Sequence, residues 1–324
     1  MKVLVTGGTG FVGQHSVRAL LDAGHTVRLL ARDPARVPFK ELEVATGDVT
    51  DAAAVAKAVA GCEAVLHCAS VYSLESRKNA EMKRVNVAGT RNVLGAGIAA
   101  GCNPVVHVSS LMALLGGTPR GHTISADSPL GDPLGVYPQT KRDSDLVARE
   151  LQETGHPVVI TYPGSVWGPD DPYFGESAFI AQQMVLGRVP LTSRGQYGVV
   201  DVRDVAAVHA RAMKPHARSA RYGAFGRAVR HCDLQRMVCQ AAGVRRVNIP
   251  LPTPMVISAA PLFQLLALAG LHLPNSAEGA YLTWCDHPVD NGAAERELGV
   301  SFRPAEESVR DTVTWLKASG RLKV

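Results

Sequence analysis

Aromatic residues are scarce, at 5% of 324 residues, and Lys and Arg are scattered along the chain instead of gathered into blocks. A net charge of +5 spread in this way offers no basic face set with rings, so no nucleic-acid partner is expected. The six cysteines (Cys62, Cys68, Cys102, Cys232, Cys239 and Cys285) contain no CxxC pair and no metal-ligand spacing. They suggest neither a disulfide framework nor a metal site, and read as buried thiols of a reducing compartment. Internal repeats and low-complexity tracts are lacking. The apolar opening Met1–Val5 reaches glycine by Gly7, too soon for the core of a signal peptide, and a cytoplasmic protein is expected.

What is present is the material of a packed core. Hydrophobic residues make up 46% and charged residues 19%, which excludes a chain disordered throughout. The length suits one large domain or two lobes. Short apolar runs alternate with helical patterns in the first half: strands at Val3–Thr6, Thr26–Ala31, Leu42–Thr46, Ala64–His67, Val105–Ser109 and Val158–Tyr162. Helices are expected between them over Phe11–Ala23, Asp51–Val59 and Asn79–Ala100, and from about Tyr137. Strands that are almost wholly apolar, separated by helices, imply a parallel sheet covered on both faces. The fold class is therefore α/β, a doubly wound parallel sheet of Rossmann type over residues 1–165. Beyond Pro163 the turn cluster Gly168–Pro172 changes the rhythm. Residues 166–324 are expected to form mainly a smaller α/β substrate-binding lobe, with some segments returning to the core.

Thr6-Gly7-Gly8-Thr9-Gly10-Phe11-Val12-Gly13 lies between the first strand and the first helix. In such a loop Gly7 permits the tight turn, Gly10 lets a pyrophosphate approach the backbone and Gly13 lets helix and strand pack closely. The N–H groups and dipole of the helix N-terminus favour an anion there. A dinucleotide is the expected ligand, with Phe11 beside it. At the end of the second strand Arg32 precedes Asp33, and Arg36 follows one turn on. A guanidinium suits a 2′-phosphate and an acid a ribose 2′-hydroxyl, so Arg32 favours NADP, with NAD as the alternative through Asp33. Asp48 and Val49 are placed to meet the adenine.

Val105–Ser110 ends a strand with two hydroxyls at its carboxyl end, where α/β sheets bind ligands. Tyr137 and Lys141 stand four residues apart at the start of a helix, on one face. A cation beneath a phenol lowers its pKa from about 10, and the phenol can then exchange a proton with a substrate oxygen during hydride transfer.

Together these segments resemble the extended short-chain dehydrogenase/reductases, the NAD(P)-dependent epimerase/dehydratase superfamily. TGGTGFVG at Thr6–Gly13, GDVTD at Gly47–Asp51, LHCAS at Leu66–Ser70 and NVAGTRNVL at Asn86–Leu94 carry the likeness. It continues through VSS at Val108–Ser110, YPQTK at Tyr137–Lys141, PGSVWGP at Pro163–Pro169, VDVRDVA at Val200–Ala206 and the ending Glu297–Leu316. The resemblance implies that Tyr137 is the proton donor or acceptor and that Lys141 binds the nicotinamide ribose and tunes Tyr137. It also implies that Ser110 is the catalytic hydroxyl, with Ser109 a near neighbour. Cys68 and Ala69 would pass the cofactor ribose, and Pro163 to Val166 the nicotinamide.

Two departures bear on the reaction. Ser110 is followed by Leu111-Met112, where dehydratases of the family carry an Asp-Glu pair, and Tyr162 stands where many sugar-nucleotide members have Arg. From Arg246 to Glu278 no charged residue intervenes, and Met255–Leu273 is largely aliphatic. An apolar lid suits a hydrophobic ketone or alcohol better than a nucleotide diphosphate, which needs cations. The likeness is accordingly to the dihydroflavonol-reductase and 3β-hydroxysteroid-dehydrogenase-like branch, acting on a hydrophobic small molecule as monomer or homodimer. Membrane-surface contact by 254–273 is a less favoured reading of the same stretch. A sugar-nucleotide epimerase and a non-catalytic dinucleotide sensor are the competing functions. Tyr72, His122, Trp167, Tyr173, Phe174 and Trp284 are secondary pocket candidates, each more commonly packing or rim. His67 and His107 read as packed, and Asp201 and Asp204 as anchors for backbone and Arg.

Overall fold

The computed structural model describes residues 1–72, 79–133, 135–252 and 286–323. Strands β1 (Lys2–Thr6), β2 (Thr26–Ala31), β3 (Glu43–Thr46), β4 (Ala64–His67), β5 (Val105–Val108) and β6 (Val158–Pro163) alternate with helices in the first half. The chain then makes β7 (Ser165–Trp167), β8 (Leu191–Ser193), β9 (Gln196–Asp201), β10 (Ala220–Ala224), β11 (Arg227–Arg230) and β12 (Ile249–Leu251). The main sheet has seven strands in the order β10-β6-β5-β4-β1-β2-β3, and every pairing in it is parallel. Because β1 turns outward in both directions, the carboxyl ends of β1 and β4 flank a crevice where the strand order reverses.

Alternation along each strand sends side chains to two separate cores. Val3, Val5, Leu29, Leu66 and Val106 pack under α1 (Phe11–Asp22), joined later in the chain by Val205 and Val208. Leu4, Leu30, Val65, Val105 and Ile160 pack on the other face, under α2 (Ala52–Val59), α4 (Gly89–Ala99) and α5 (Val136–Glu153). Asp51 caps α2, its carboxylate accepting from the N–H groups of Ala53 and Ala54 at 2.9 and 3.1 Å. The long helix expected over 79–100 is less regular. It is α3 (Asn79–Lys83), a π-helical turn over Arg84–Ala88, then α4. In that turn Asn86 is buried and its amide bonds Val71 on both backbone groups and Thr140 on α5, which ties the wide turn to its surroundings.

The later half contributes to both layers and to smaller sheets. β11, β9 and β7 form a three-stranded sheet, and β12 and β8 a parallel pair. Over them lie α6 (Glu176–Val185), α8 (His231–Ala242) and α10 (Ala305–Ala318), whose apolar faces share the core that runs beneath Trp167. β10 joins the edge of the main sheet, while α7 (Val202–Ala212) and α9 (Gly292–Leu298) cover the α1 face. Among the described residues no helix is long and apolar enough to cross a membrane. The stretch 254–273 lies outside the described residues.

Candidate active site

A cleft of about 910 Å³ runs across the carboxyl ends of the strands, from Arg36 past the glycine loop to Tyr137 and Tyr197. Gly7 has φ +73°, and a Cβ on it would stand 2.6 Å from the Ala69 nitrogen. A Cβ on Gly13 would stand 2.0 Å from the Gly7 carbonyl oxygen, so the loop folds this tightly only with glycine there. The Gly10 N–H donates to the Gly7 carbonyl at 3.0 Å and closes the turn. Gly10 is also the N-cap of α1 and supplies no side-chain acceptor, and the first turn of α1 holds no acid. The cradle therefore offers open N–H groups and a positive helix end without a carboxylate to repel an anion, which fits a pyrophosphate. Gly7, Gly10, Phe11 and Gly13 all line the cleft, as do Cys68 and Ala69 at the end of β4.

At one end of the cleft Arg32, Asp33, Arg36, Asp48 and Val49 form the wall. The Asp33 carboxylate accepts from the Ala35 N–H at 3.0 Å and caps a 3-10 turn over Pro34–Arg36. Burial alone would push the Asp48 carboxyl up. Donation from the Thr50 N–H and hydroxyl, both at 2.8 Å, with Arg32 and Arg84 nearby, holds it below the usual range.

At the other end stand Ser110 and Tyr137. The Ser110 hydroxyl oxygen accepts from the Met112 N–H at 3.2 Å, capping the 3-10 turn Leu111–Ala113, while Ser109 turns into the interior at 3% exposure. α5 starts after Gly135, at φ +96°, and tolerates Pro138 because the first turn needs no N–H from it. Tyr137 meets the edge of the Tyr72 ring, with centroids 4.7 Å apart and planes at 87°. Lys141 is one turn deeper, 4% exposed, and its ammonium donates to the Val108 carbonyl at 2.9 Å. Burial pulls the Lys141 ammonium down to about 8, against the opposing influence of Asp145 and Cys68. Burial, with Lys141 close by, also takes His67 down to about 3 and His107 well below its ordinary value. These two rings stack with centroids 5.7 Å apart, and His67 bonds Thr6 and Thr90 at 2.7 and 3.0 Å. Burial pushes the Cys68 thiol up to about 12, so it offers no thiolate to the cleft.

Residues 3–225 match the NAD dependent epimerase/dehydratase family, well over half of the chain. The chain belongs to that family. It is an enzyme of the nicotinamide-dependent group acting on alcohol or ketone carbons. Across 98% of this chain it is 28% identical to a protein of Synechocystis sp. (95% of which is covered) that carries the provisional name dihydroflavonol 4-reductase. It is 36% identical over 188 residues, 52% of this chain and 48% of the other, to the 3 beta-hydroxysteroid dehydrogenase/Delta 5-->4-isomerase of Mycobacterium tuberculosis. The crystal structure of gox2253 superposes with a TM-score of 0.84 at 30% identity, covering 99% of both chains. The expected family, its reductase-like branch and the doubly wound sheet are all borne out.

In this member of the epimerase/dehydratase family the residues singled out from sequence converge on one cleft, with two set behind it. Lys141 lies beneath Tyr137 and not on the wall, and Pro163 ends β6 one residue before Gly164, Ser165 and Val166, which do face the cleft. Tyr72 and Tyr173 line it as well, whereas Trp167 is core, Phe174 packs on Phe179, and His122 is an exposed residue away from the cleft. Trp284 lies outside the described residues. Sequence reasoning missed Thr9, Glu176, Ser177 and Tyr197, all on the wall. Most of them come from the later half, where no motif marks them. The reading of Tyr162 needs correcting. Its side chain is wholly buried behind the sheet, with its hydroxyl donating to Asp145 at 3.2 Å, so its identity says nothing about what the cleft accepts.

Proposed function

We propose that this enzyme interconverts a ketone and a secondary alcohol on a hydrophobic small molecule, using NADP. The observation that carries the reading is the placing of Ser110 and Tyr137 on one cleft with the glycine cradle, with Lys141 buried one helical turn below Tyr137. The nicotinamide, when bound, supplies or takes a hydride. Tyr137 gives its phenolic proton to the substrate oxygen in reduction and takes it back in oxidation. Ser110 donates a hydrogen bond to that same oxygen. The Lys141 ammonium has three donors and spends one on Val108, leaving two for the nicotinamide ribose and for stabilising a phenolate.

NADP is favoured because the Asp33 carboxylate already serves as a cap while Arg32 lines the cleft beside Asp48. The apolar substrate is favoured by the wall near Tyr137, which includes Val71, Tyr72, Leu111, Met112 and Tyr197. Among the described residues, the cations lining the cleft are Arg32 and Arg36, beside the end of β2 and away from β5 and α5. The uncharged run between Arg246 and Glu278 and the dihydroflavonol and steroid names of the relatives point the same way. No acid follows Ser110, which speaks against elimination of water.

The test is absorbance of reduced nicotinamide during turnover across ketones, flavonoid-like alcohols and sterols. Tyr137→Phe should lose about 10²–10⁴-fold in kcat while still binding NADP. Full activity in that variant, or conversion of a sugar nucleotide with no net change in absorbance, would overturn the proposal.

A further inference from the structure

Tyr137, Lys141, Asp145 and Arg149 recur every four residues along α5 and form one stripe turned toward the sheet. The first two belong to the proposed chemistry. The next two have no place in it, although Asp145 is wholly buried and the Arg149 side chain is only 12% exposed. A buried carboxylate persists only where donors and a counter-charge hold it. Arg149 Nε donates to Asp145 Oδ1 at 2.8 Å and the Tyr162 hydroxyl to the same oxygen at 3.2 Å. A second Arg149 nitrogen donates to the Tyr162 oxygen at 3.0 Å and to the Ser128 carbonyl at 3.1 Å. The acid is thus clamped from α5 and β6 together.

We propose that Asp145 is a positioning residue for the reaction, the fixed counter-charge that keeps the buried Lys141 charged beneath Tyr137. The inference rests on the assignment of Tyr137 and Lys141 above and adds the device that makes a buried lysine serviceable. Among the described residues, the titratable groups facing Lys141 are Tyr137 and Asp145 on its own helix, His67 and Cys68 on and just past β4, and His107 on β5. The two histidines are held neutral by burial and the thiol is held protonated by it, so none of the three is a full counter-charge at neutral pH. Asp145 faces Ser109, Arg149 and Tyr162 in addition to Lys141. Burial pushes the Asp145 carboxyl up, while the Arg149 charge and donation from Arg149 and Tyr162 oppose that rise and favour the carboxylate. Only one turn along the helix separates this carboxylate from Lys141. Lys141 sits at about 8, close enough to working pH that a modest loss of negative charge would leave it largely neutral.

The experiment follows the ¹³Cε-lysine resonance of Lys141 through a pH titration of the full chain without cofactor, identified by its disappearance in Lys141→Met. Asp145→Asn should titrate lower by about one pH unit, a tenfold change in proton affinity. Asp145→Glu should restore the native value. The alkaline fall of kcat should move in step. An unmoved Lys141 resonance in a folded Asp145→Asn protein overturns the inference and reduces Asp145 to a structural tie between α5 and β6. If Asp145→Asn strands Arg149 and does not fold, Asp145→Asn with Arg149→Met removes the stranded guanidinium. A smaller shift in the same direction is then expected, and no shift again overturns the inference. Loss of turnover in Tyr137→Phe alongside an unmoved titration would leave the proposed function standing and this inference not. An active Tyr137→Phe with a shifted titration would do the reverse.

Discussion

Arg32 and Asp33 are neighbours in sequence with separate occupations. The Asp33 carboxylate closes a turn on its own backbone, while Arg32 lines the cleft and stands near Asp48. Replacing Arg32 with Gln should weaken NADP by about 10–100-fold, the worth of a charge-assisted bond, and leave NAD nearly unchanged. Titration of each cofactor against the variant checks this, and an equal loss for both would deny Arg32 a phosphate contact. At this scale the glycine loop was the most legible part of the molecule. Gly7 and Gly13 leave no room for a Cβ, and such steric necessity shows directly as glycine in the sequence. Asp145 was not legible. A carboxylate four residues from an Arg reads on paper as a solvated surface pair, and only burial distinguishes the two. Tyr162 was misread for a related reason: alternation on β6 decides which face a side chain takes, and the motif does not say which.

Helix α7 shows how an element of the later half is held on the core. Asp201 caps it, accepting from the Arg203 N–H at 2.8 Å, and pairs with the Arg203 guanidinium, which reaches Asp311 on α10 at 2.6 Å. Asp204 binds Arg303 through the backbone N–H and the guanidinium. These are the anchoring roles expected of both acids. Asp201→Ala loses a cap, worth about 1 kcal/mol, and leaves Arg203 short of one charged partner, so a total near 2–4 kcal/mol is expected. Urea unfolding measures it, and cofactor affinity should hold. A change under about 0.5 kcal/mol would mean the cluster is replaced by solvent at no cost. The elements of the first half were legible because both sheet faces are covered, which makes the strands largely apolar runs. The π-helical turn before α4 was not, since Thr140, which bonds its buried Asn86, lies far along the chain.

At the scale of the whole molecule, six of the described histidines are buried, and His67, His107 and His209 are the most enclosed of them, at 1% exposure or less. Burial brings His67 and His209 to about 3, and His209 is wedged between Ser16 on α1 and Thr161 on β6 at 2.8 and 3.1 Å. An unfolded chain takes up protons at these rings below about pH 6.5, whereas the folded chain leaves them neutral until about pH 3. Stability is therefore full above pH 6.5 and falls as pH drops through that window, by about 1.4 kcal/mol per pH unit for each ring. Denaturant midpoints between pH 6.5 and 5, above the carboxylate range, should show that slope. A flat response would mean the rings are protonated in the folded state.

The Ser16–His209 bond also has a bearing on how the chain is made. α1 leaves the ribosome well before α7, which covers it and begins at Val202, and before the last strand of the main sheet, which ends at Ala224. A nascent chain that has delivered every glycine of the cradle still lacks one wall of its core. Synthesis must pass Ala224 before the main sheet is complete, and until then the apolar face of α1 is left waiting for its partner.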